Sequence, residues 1–424
     1  MWQRIKLVLS NKTVMLRIAI TLLIILVFKI ASYIPIPLFN KEQLTTDFGS
    51  GFLSILNSYS GQALARFSVF SLGISPYITA SIAVQLLQTV IPSLKEWNEQ
   101  GEAGKQKSAR LTRYLAIALA FAQALLLILG VGSPLQHGVR QSIWIYLYMA
   151  LTVTAASAVT IWLADLITAK GVGNGTSIMI VTGMVTSLPI MYTTLSQKYL
   201  GSSFTWGNLG LFSIIVLLNI FILLAVIYVY VATRKIPIQY ANRQGKTDSN
   251  IPLKINSAGV LPVIFASTLT SIPLTIVGLT SNSTSGTSTW INNIFNSQEP
   301  LGFILYMILI VIFSFFYTFM TVNPTQMADN LSKQDAYIPG IRPGEDTKNF
   351  IAKILFKITV IGTVFIAVLA ALPIITSWIF GFTAAEASAI SIGGTSLLII
   401  VGVAVETTQQ IEAAANKDQY TGLF

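Results

Sequence analysis

Apolar and polar positions along this chain do not alternate; they come in blocks. Ten long apolar segments stand out, at approximately 17–36, 72–92, 112–131, 142–163, 174–192, 211–233, 257–278, 301–321, 351–375 and 389–406. Crossing a hydrocarbon layer about 30 Å thick takes about 20 apolar residues in a helix. Lipid tolerates only helices or closed barrels, because every backbone polar group must find an internal partner. Barrel strands would show alternation in stretches of roughly ten residues, and these runs are continuous. The pattern therefore predicts helices. The first, third, sixth, eighth and ninth segments are the strongest. The segment at 174–192 is short and polar-leaning, so it is expected to border protein or water as well as lipid.

Composition agrees with the blocks. Of 424 residues, 53% are hydrophobic and only 10% charged, where a soluble domain carries roughly 25% charge. The mean hydropathy is +0.70. Such a chain cannot cover itself with a water-facing surface, so it reads as an all-α integral membrane protein. No cysteine is present, which excludes a disulfide framework and thiol-ligated metal. The basic N-terminus runs into a long apolar segment with no small-residue cleavage site, and reads as a retained first span.

The net charge of +10 is distributed unevenly. With the N-terminus inside, the inner loops collect Lys95, Lys105, Lys107, Arg110, Arg234, Lys235, Arg243, Lys246, Lys254, Lys333, Arg342 and Lys348 among others. The outer loops hold only Lys41, Arg66, Arg140 and Lys198. This bias orients the chain with both termini in the cytoplasm. A basic cytoplasmic face suits anionic lipids, and equally an acidic partner or ribosomal RNA. Two inner loops are long, 234–254 and 322–349, and long loops are more often functional than short ones. The stretch 45–70 is too broken by Gly49, Gly51 and Gly61 to span. Its core can form a short helix that re-enters the membrane where protein or water shelters it.

One eleven-residue pattern occurs twice. SLGISPYITAS (71–81) and SAGVLPVIFAS (257–267) agree at six positions: Ser, Gly, Pro, Ile, Ala and Ser. The first copy opens a span running inward, the second a span running outward. Related segments of opposite topology are the signature of an inverted repeat. The halves are then 1–200, with spans one to five, and 201–424, with spans six to ten and both long inner loops.

Chemistry is scarce within the spans. Asp165 and Glu406 sit near span ends, His137 lies in an outer loop, and Lys29 is the one deep charge. Snorkelling or facing the bundle interior accounts for Lys29 as well as a counter-ion role does. Neither a proton relay nor a metal cluster is expected, and no catalytic residue or cofactor. KGVGNGTS (170–177) lacks the spacing of a phosphate-binding loop and reads as a tight turn. Ile74, Ile78, Ile180, Ile264 and Ile399 stand in spans punctuated by Gly and Pro. Singly each reads as packing; converging, they would form an apolar collar that closes a pore by dewetting. Ile74 and Ile78 share a helix face.

The chain resembles the SecY/Sec61α family of protein-conducting channels in its bacterial form. The likeness is carried by FKIASYIPIP (28–37), LGISPYITASIAVQLL (72–87), GEAGKQKSARLTRY (101–114), KGVGNGTSIMI (170–180), PLKINSAGVLPVIFAS (252–267), NPTQMADNLSKQDAYIPGIRPGEDT (323–347) and GGTSLLIIVGVAVE (393–406). The resemblance implies ten spans in two inverted pseudo-symmetric halves around a central hourglass pore with a plug helix. It implies a pore ring at Ile74, Ile78, Thr176, Ile180, Ile264 and Ile399. It puts a plug at about 52–62, with Phe52, Leu53, Ile55, Leu56, Asn57 and Ser60. A lateral gate falls between the second and third and the seventh and eighth spans, with Gln85 and Asn256 at its polar positions. Cytoplasmic docking falls to Arg243, Arg342, Arg234, Lys235 and Lys246.

The implied activity is conduction of unfolded secretory polypeptides across the bacterial plasma membrane, with lateral release of transmembrane segments into lipid. The implied partners are the SecE and SecG small membrane subunits, the SecA motor ATPase, the ribosome, signal sequences and nascent polypeptides, and anionic lipids. Three features depart from the family pattern: Thr176 where the ring is usually aliphatic, a short tail after Glu406, and Asn242 where a second base often precedes Arg243. A small-solute transporter would share inverted repeats but calls for mid-membrane polar groups that are not seen. An accessory paralogue devoted to one substrate and a structural scaffold are weaker alternatives, given the intact PGIRPGE motif and the long basic loops.

Overall fold

A computed structural model describes residues 11–39, 57, 60–130, 142–201, 206–240, 249–280, 286–379 and 384–421. Its helices are α1 (Lys12–Ala31), α2 (Ser75–Val90), α3 (Pro92–Glu99), α4 (Glu102–Gly130), α5 (Ile143–Lys170), α6 (Gly175–Val185) and α7 (Ser187–Leu200). They continue with α8 (Trp206–Val231), α9 (Leu261–Thr280), α10 (Gly286–Phe295), α11 (Pro300–Thr321), α12 (Pro324–Lys333), α13 (Glu345–Ile379) and α14 (Ala384–Thr421). Among the described residues there are also three strands, β1 (Thr233–Tyr240), β2 (Ser249–Lys254) and β3 (Ala336–Tyr337).

Among the described residues, seven helical stretches are long and apolar enough to cross a membrane. The ten expected segments all appear. The remaining three, α2, α6–α7 and α9, are short or interrupted. The fifth expected span is two helices, broken at Thr186. Pro189, three residues into α7, lacks the amide that would continue the ladder, so a boundary just before it is favoured. Local signals explain several starts. Asn11, Asn174 and Asn323 cap α1, α6 and α12, each side-chain oxygen accepting from a backbone N–H two residues on, at 3.0, 3.1 and 3.0 Å.

The two copies of the repeated pattern fold alike. Gly73 and Gly259 both have positive φ, +52° and +66°, a conformation that costs any residue with a Cβ. A helix begins two residues later in each case, with Pro76 and Pro262 at its second position. Tyr77 N–H donates to the Ile74 carbonyl at 3.0 Å, and Val263 N–H to the Val260 carbonyl at 3.2 Å. The same sequence offsets therefore produce the same bent entry into a helix.

The helices pack in a closed circuit: α4 on α5, α5 on α6, α6 on α14, α14 on α13, α13 on α11, α11 on α9, and α9 back on α4. The first five spans meet the last five along two seams. One is broad, where α14 touches α1, α6 and α7 and where α8 packs on α7; the other is the slighter α4–α9 contact. The main apolar core lies inside this circuit and includes Ile24, Phe28, Ile74, Ile78, Met179, Ile264, Phe265, Ile310 and Ile399.

Both long polar stretches, expected as loops, carry regular structure. β1 pairs antiparallel with β2 and, on its other edge, with β3. Ile236 and Ile238 alternate inward and pack with Leu253, Leu331, Ala336, Ile338 and Ile351. A small second core thus fixes the two polar stretches to each other and to the start of α13.

Candidate functional site

A cavity of about 690 Å³ opens inside the helical circuit. Ile78 of α2, Ile180 of α6, Ile264 of α9 and Ile399 of α14 all line it, and all four belong to the same apolar core. Their exposures are 7%, 6%, 2% and 1%, so four branched side chains from four helices line one cavity while almost wholly shielded from solvent. The short helices bring them there: α2, α6 and α9 enter the bundle beside Gly-containing turns. Ile74 sits at the N-cap of α2, one turn from Ile78, in the same core but not on the cavity wall.

Thr176 lines the cavity one turn before Ile180. Its hydroxyl donates to Asn174 Oδ1 at 2.7 Å, the oxygen that also accepts from its own N–H at 3.1 Å. The hydroxyl is therefore held by the helix cap rather than by the backbone of the preceding turn. KGVGNGTS is the tight turn expected: the chain reverses at Gly171–Gly173 and Asn174 caps α6.

Gln85 and Asn256 also line the cavity. Gln85 Nε2 donates to Ser81 Oγ at 3.1 Å and Asn256 Nδ2 to the Gly259 carbonyl at 3.1 Å. The remaining amide oxygen of each is buried without a partner. An unpaired buried acceptor costs about 1–3 kcal/mol, so the Gln85 oxygen is open to a donor entering the cavity, whereas the Asn256 side chain also meets the buried Tyr230 hydroxyl on the same wall. Sequence reasoning missed the charged rim. Asp165 lines the cavity and pairs with Arg113, Nε to Oδ2 2.9 Å, linking α5 to α4; Lys254 and Glu406 line it too. The Arg113–Asp165 pair spans elements 52 positions apart, which no local pattern encodes.

Of the expected plug residues, Asn57 and Ser60 are described, whereas Phe52, Leu53, Ile55 and Leu56 lie outside the described residues. Asn57 Oδ1 accepts from Ala65 N–H at 2.9 Å and its carbonyl from Gln62 N–H at 2.8 Å. Ser60, fully buried, accepts from Leu64 N–H at 3.3 Å. These bonds tie the segment's end to the buried turn leading to Ile74. Lys29 faces the bundle interior, its Nζ 3.2 Å from the Thr186 hydroxyl and against Gly61.

Arg234 and Lys235 are exposed on β1, and Arg342 is exposed between Gly340 and Gly344. The Arg342 carbonyl accepts from Thr347 Oγ1 at 2.8 Å, which fixes the turn while leaving the guanidinium free to reach outward. Arg243 and Lys246 lie outside the described residues.

A sequence model of the SecY family matches residues 68–408. The protein translocase subunit SecY of Staphylococcus aureus (strain NCTC 8325 / PS 47) is 43% identical over 429 residues, covering 97% of each chain. That of Staphylococcus epidermidis (strain ATCC 12228 / FDA PCI 1200) is 42% identical over 430 residues, again 97% of each. A solved protein-conducting channel superposes with a TM-score of 0.65 at 17% identity, covering 95% of this chain and 92% of that one. Sec61 in the canine ribosome–channel complex from the endoplasmic reticulum superposes at 0.62, with 17% identity and the same coverage.

Proposed function

The chain belongs to the SecY family of protein translocase channels, and on that premise we propose that its central cavity is the path of the polypeptide. The protein is a multi-pass membrane channel subunit. The observation that carries the assignment is the meeting of Ile78, Ile180, Ile264 and Ile399 from four helices at one cavity. Branched apolar side chains deform around a passing chain without hydrogen-bonding to it, and they exclude water when the chain is absent. Ile74 extends the collar by one turn, and Thr176 gives it a less hydrophobic edge.

In this reading residues 1–200 and 201–424 are two inverted halves. They part at the α4–α9 seam, the slighter of the two, to release apolar segments into lipid. Gln85 and Asn256 make weak, reversible contacts beside that gate, and the segment around 52–62 is the plug. The exposed Arg234, Lys235 and Arg342, with Arg243 and Lys246, dock the motor ATPase and the ribosome. A guanidinium offers a planar fork to carboxylate or phosphate there. The Lys and Arg bias puts both termini in the cytoplasm, and the bacterial relatives favour the plasma membrane. SecE and SecG are the expected small subunits, and anionic lipids meet the basic face.

Ion leak through reconstituted vesicles tests the assignment. Replacing Ile180 and Ile264 together by Asn puts two hydrogen-bonding groups into the collar, so water and ions are expected to enter and the leak to rise. A leak equal to that of the parent chain would show that the cavity is not the pore.

A further inference from the structure

A second cavity, about 550 Å³, lies away from the pore, on the outer side of the circuit between α11 and α13. Phe303, Met307, Val311 and Phe315 form one wall, spaced four residues apart along a single face of α11. The wall is about 18 Å long at 1.5 Å per residue, close to the roughly 15 Å depth of one leaflet's hydrocarbon. The floor on α13 is made by Thr363, Ala367 and Ala371, again four apart, and Val364 stands on its rim with 58% exposure. Thr363 turns its hydroxyl away, donating to Ser314 Oγ at 2.8 Å, so no hydrogen-bonding group faces the groove from this position.

The groove ends beside a polar cluster. Trp378 stacks edge-on against Phe303 with ring centroids 5.2 Å apart, and its Nε1 donates to the Gln298 carbonyl at 3.0 Å. A tryptophan with an apolar body and a bonded N–H is the usual marker of the membrane–water interface. One turn beyond Phe303, continuing the same stripe, stands Glu299, exposed at the N-cap of α11. The helix dipole alone favours an acid there, but here that acid heads an apolar groove one leaflet deep. Residues 255–332 and 358–416, which supply both walls and the flank around Glu299, contain no Lys or Arg, and Lys357 stands one turn before Val360 at the opposite end of the groove from Glu299.

We propose that this groove is a binding site for a phospholipid whose headgroup carries an amine, with one acyl chain between α11 and α13 and the ammonium at Glu299. Apolar length and depth select the acyl chain. The carboxylate, with no cation on either groove helix at the Glu299–Trp378 end, selects against purely anionic headgroups such as phosphatidylglycerol.

The chain has no cysteine, so single-cysteine labelling is clean. The full chain with Val364→Cys, bimane-labelled and in bilayers, is titrated with dibrominated phosphatidylethanolamine or dibrominated phosphatidylglycerol as quencher. Ile361→Cys, on the same helix, 61% exposed and outside the groove, is the reference. At position 364 the ethanolamine lipid is expected to bind about fivefold more tightly than the glycerol lipid, the scale of one charge at a membrane surface. At 361 the ratio is expected to be unity. Glu299→Gln, a surface change, is expected to bring the ratio at 364 to unity as well, and Ala367→Phe to abolish the excess quenching at 364 while leaving 361 unchanged. Equal ratios at both positions, a preference for phosphatidylglycerol, or a 364 label shielded from every lipid by a partner helix would each overturn the proposal.

Discussion

Gly61 joins the end of the proposed plug to the rest of the bundle, and Gly61→Ala should unlatch it. The backbone there has φ +67°, and a Cβ would lie 2.7 Å from Lys29 Nζ and 3.3 Å from both Gly183 Cα and Thr186 Oγ1. Two costs follow. A left-handed conformation costs a residue with a Cβ about 1–2 kcal/mol. Displacing the ammonium from the Thr186 hydroxyl loses a hydrogen bond to a charged group, about 1.5 kcal/mol at the lower end for a partly buried site. If the closed arrangement bears about 2 kcal/mol of this total, the ratio of closed to open channels falls about thirtyfold. Ion flux through vesicles holding the purified channel reads that ratio directly. In a Lys29→Ala background the clash with the ammonium and the hydrogen bond it would lose are both absent, and Gly61→Ala should raise the leak only about fivefold, mainly the share of backbone strain. An unchanged leak in both backgrounds, or the same increase in both, would refute the reasoning.

Thr176→Ile should lower the residual ion leak of the closed channel, because a branched aliphatic side chain replaces a hydroxyl on the cavity wall; an unchanged leak in reconstituted vesicles would count against an edge role for Thr176. Arg342→Glu should block ATPase-driven export severalfold or more while the protein still inserts into the membrane, since the side chain is exposed and only its carbonyl supports the turn. Normal export of a secretory protein by that variant would remove Arg342 from the docking surface.

The spans were legible because lipid imposes a strong local rule: about 20 apolar residues with every backbone group paired internally. Helix ends beyond the membrane were less visible. α4 begins at Glu102 and α14 runs to Thr421, through polar residues that an apolar window excludes. The strand β1 was hidden for a different reason. Its alternation of Ile236 and Ile238 is present, yet Pro237 and Pro252 argue against strands and the surrounding charge suggests a solvated loop. The pairing that rescues it, with β2 and with β3 almost a hundred residues away, is tertiary.

The site divides the same way. Gly73 with Pro76, and Gly259 with Pro262, announced two equivalent helix entries, and both fold as their offsets require. Ile78 and Ile264 could be singled out as a repeated pair, but their meeting with Ile180 and Ile399 depends on closure of the helical circuit. Lys29 was ambiguous for the same reason: one turn of α1 decides between lipid, water and interior, and only the position of Thr186 resolves it.

The central claim is that a polypeptide passes between Ile78, Ile180, Ile264 and Ile399. With no native cysteine to interfere, single cysteines at these four positions can each be crosslinked to a cysteine in a secretory chain stalled during export. The account predicts crosslinks from all four positions to the same short stretch of the stalled chain, and none from the lipid-facing Ile361. Crosslinking confined to one of the four, or to residues on the outside of the bundle, would contradict it.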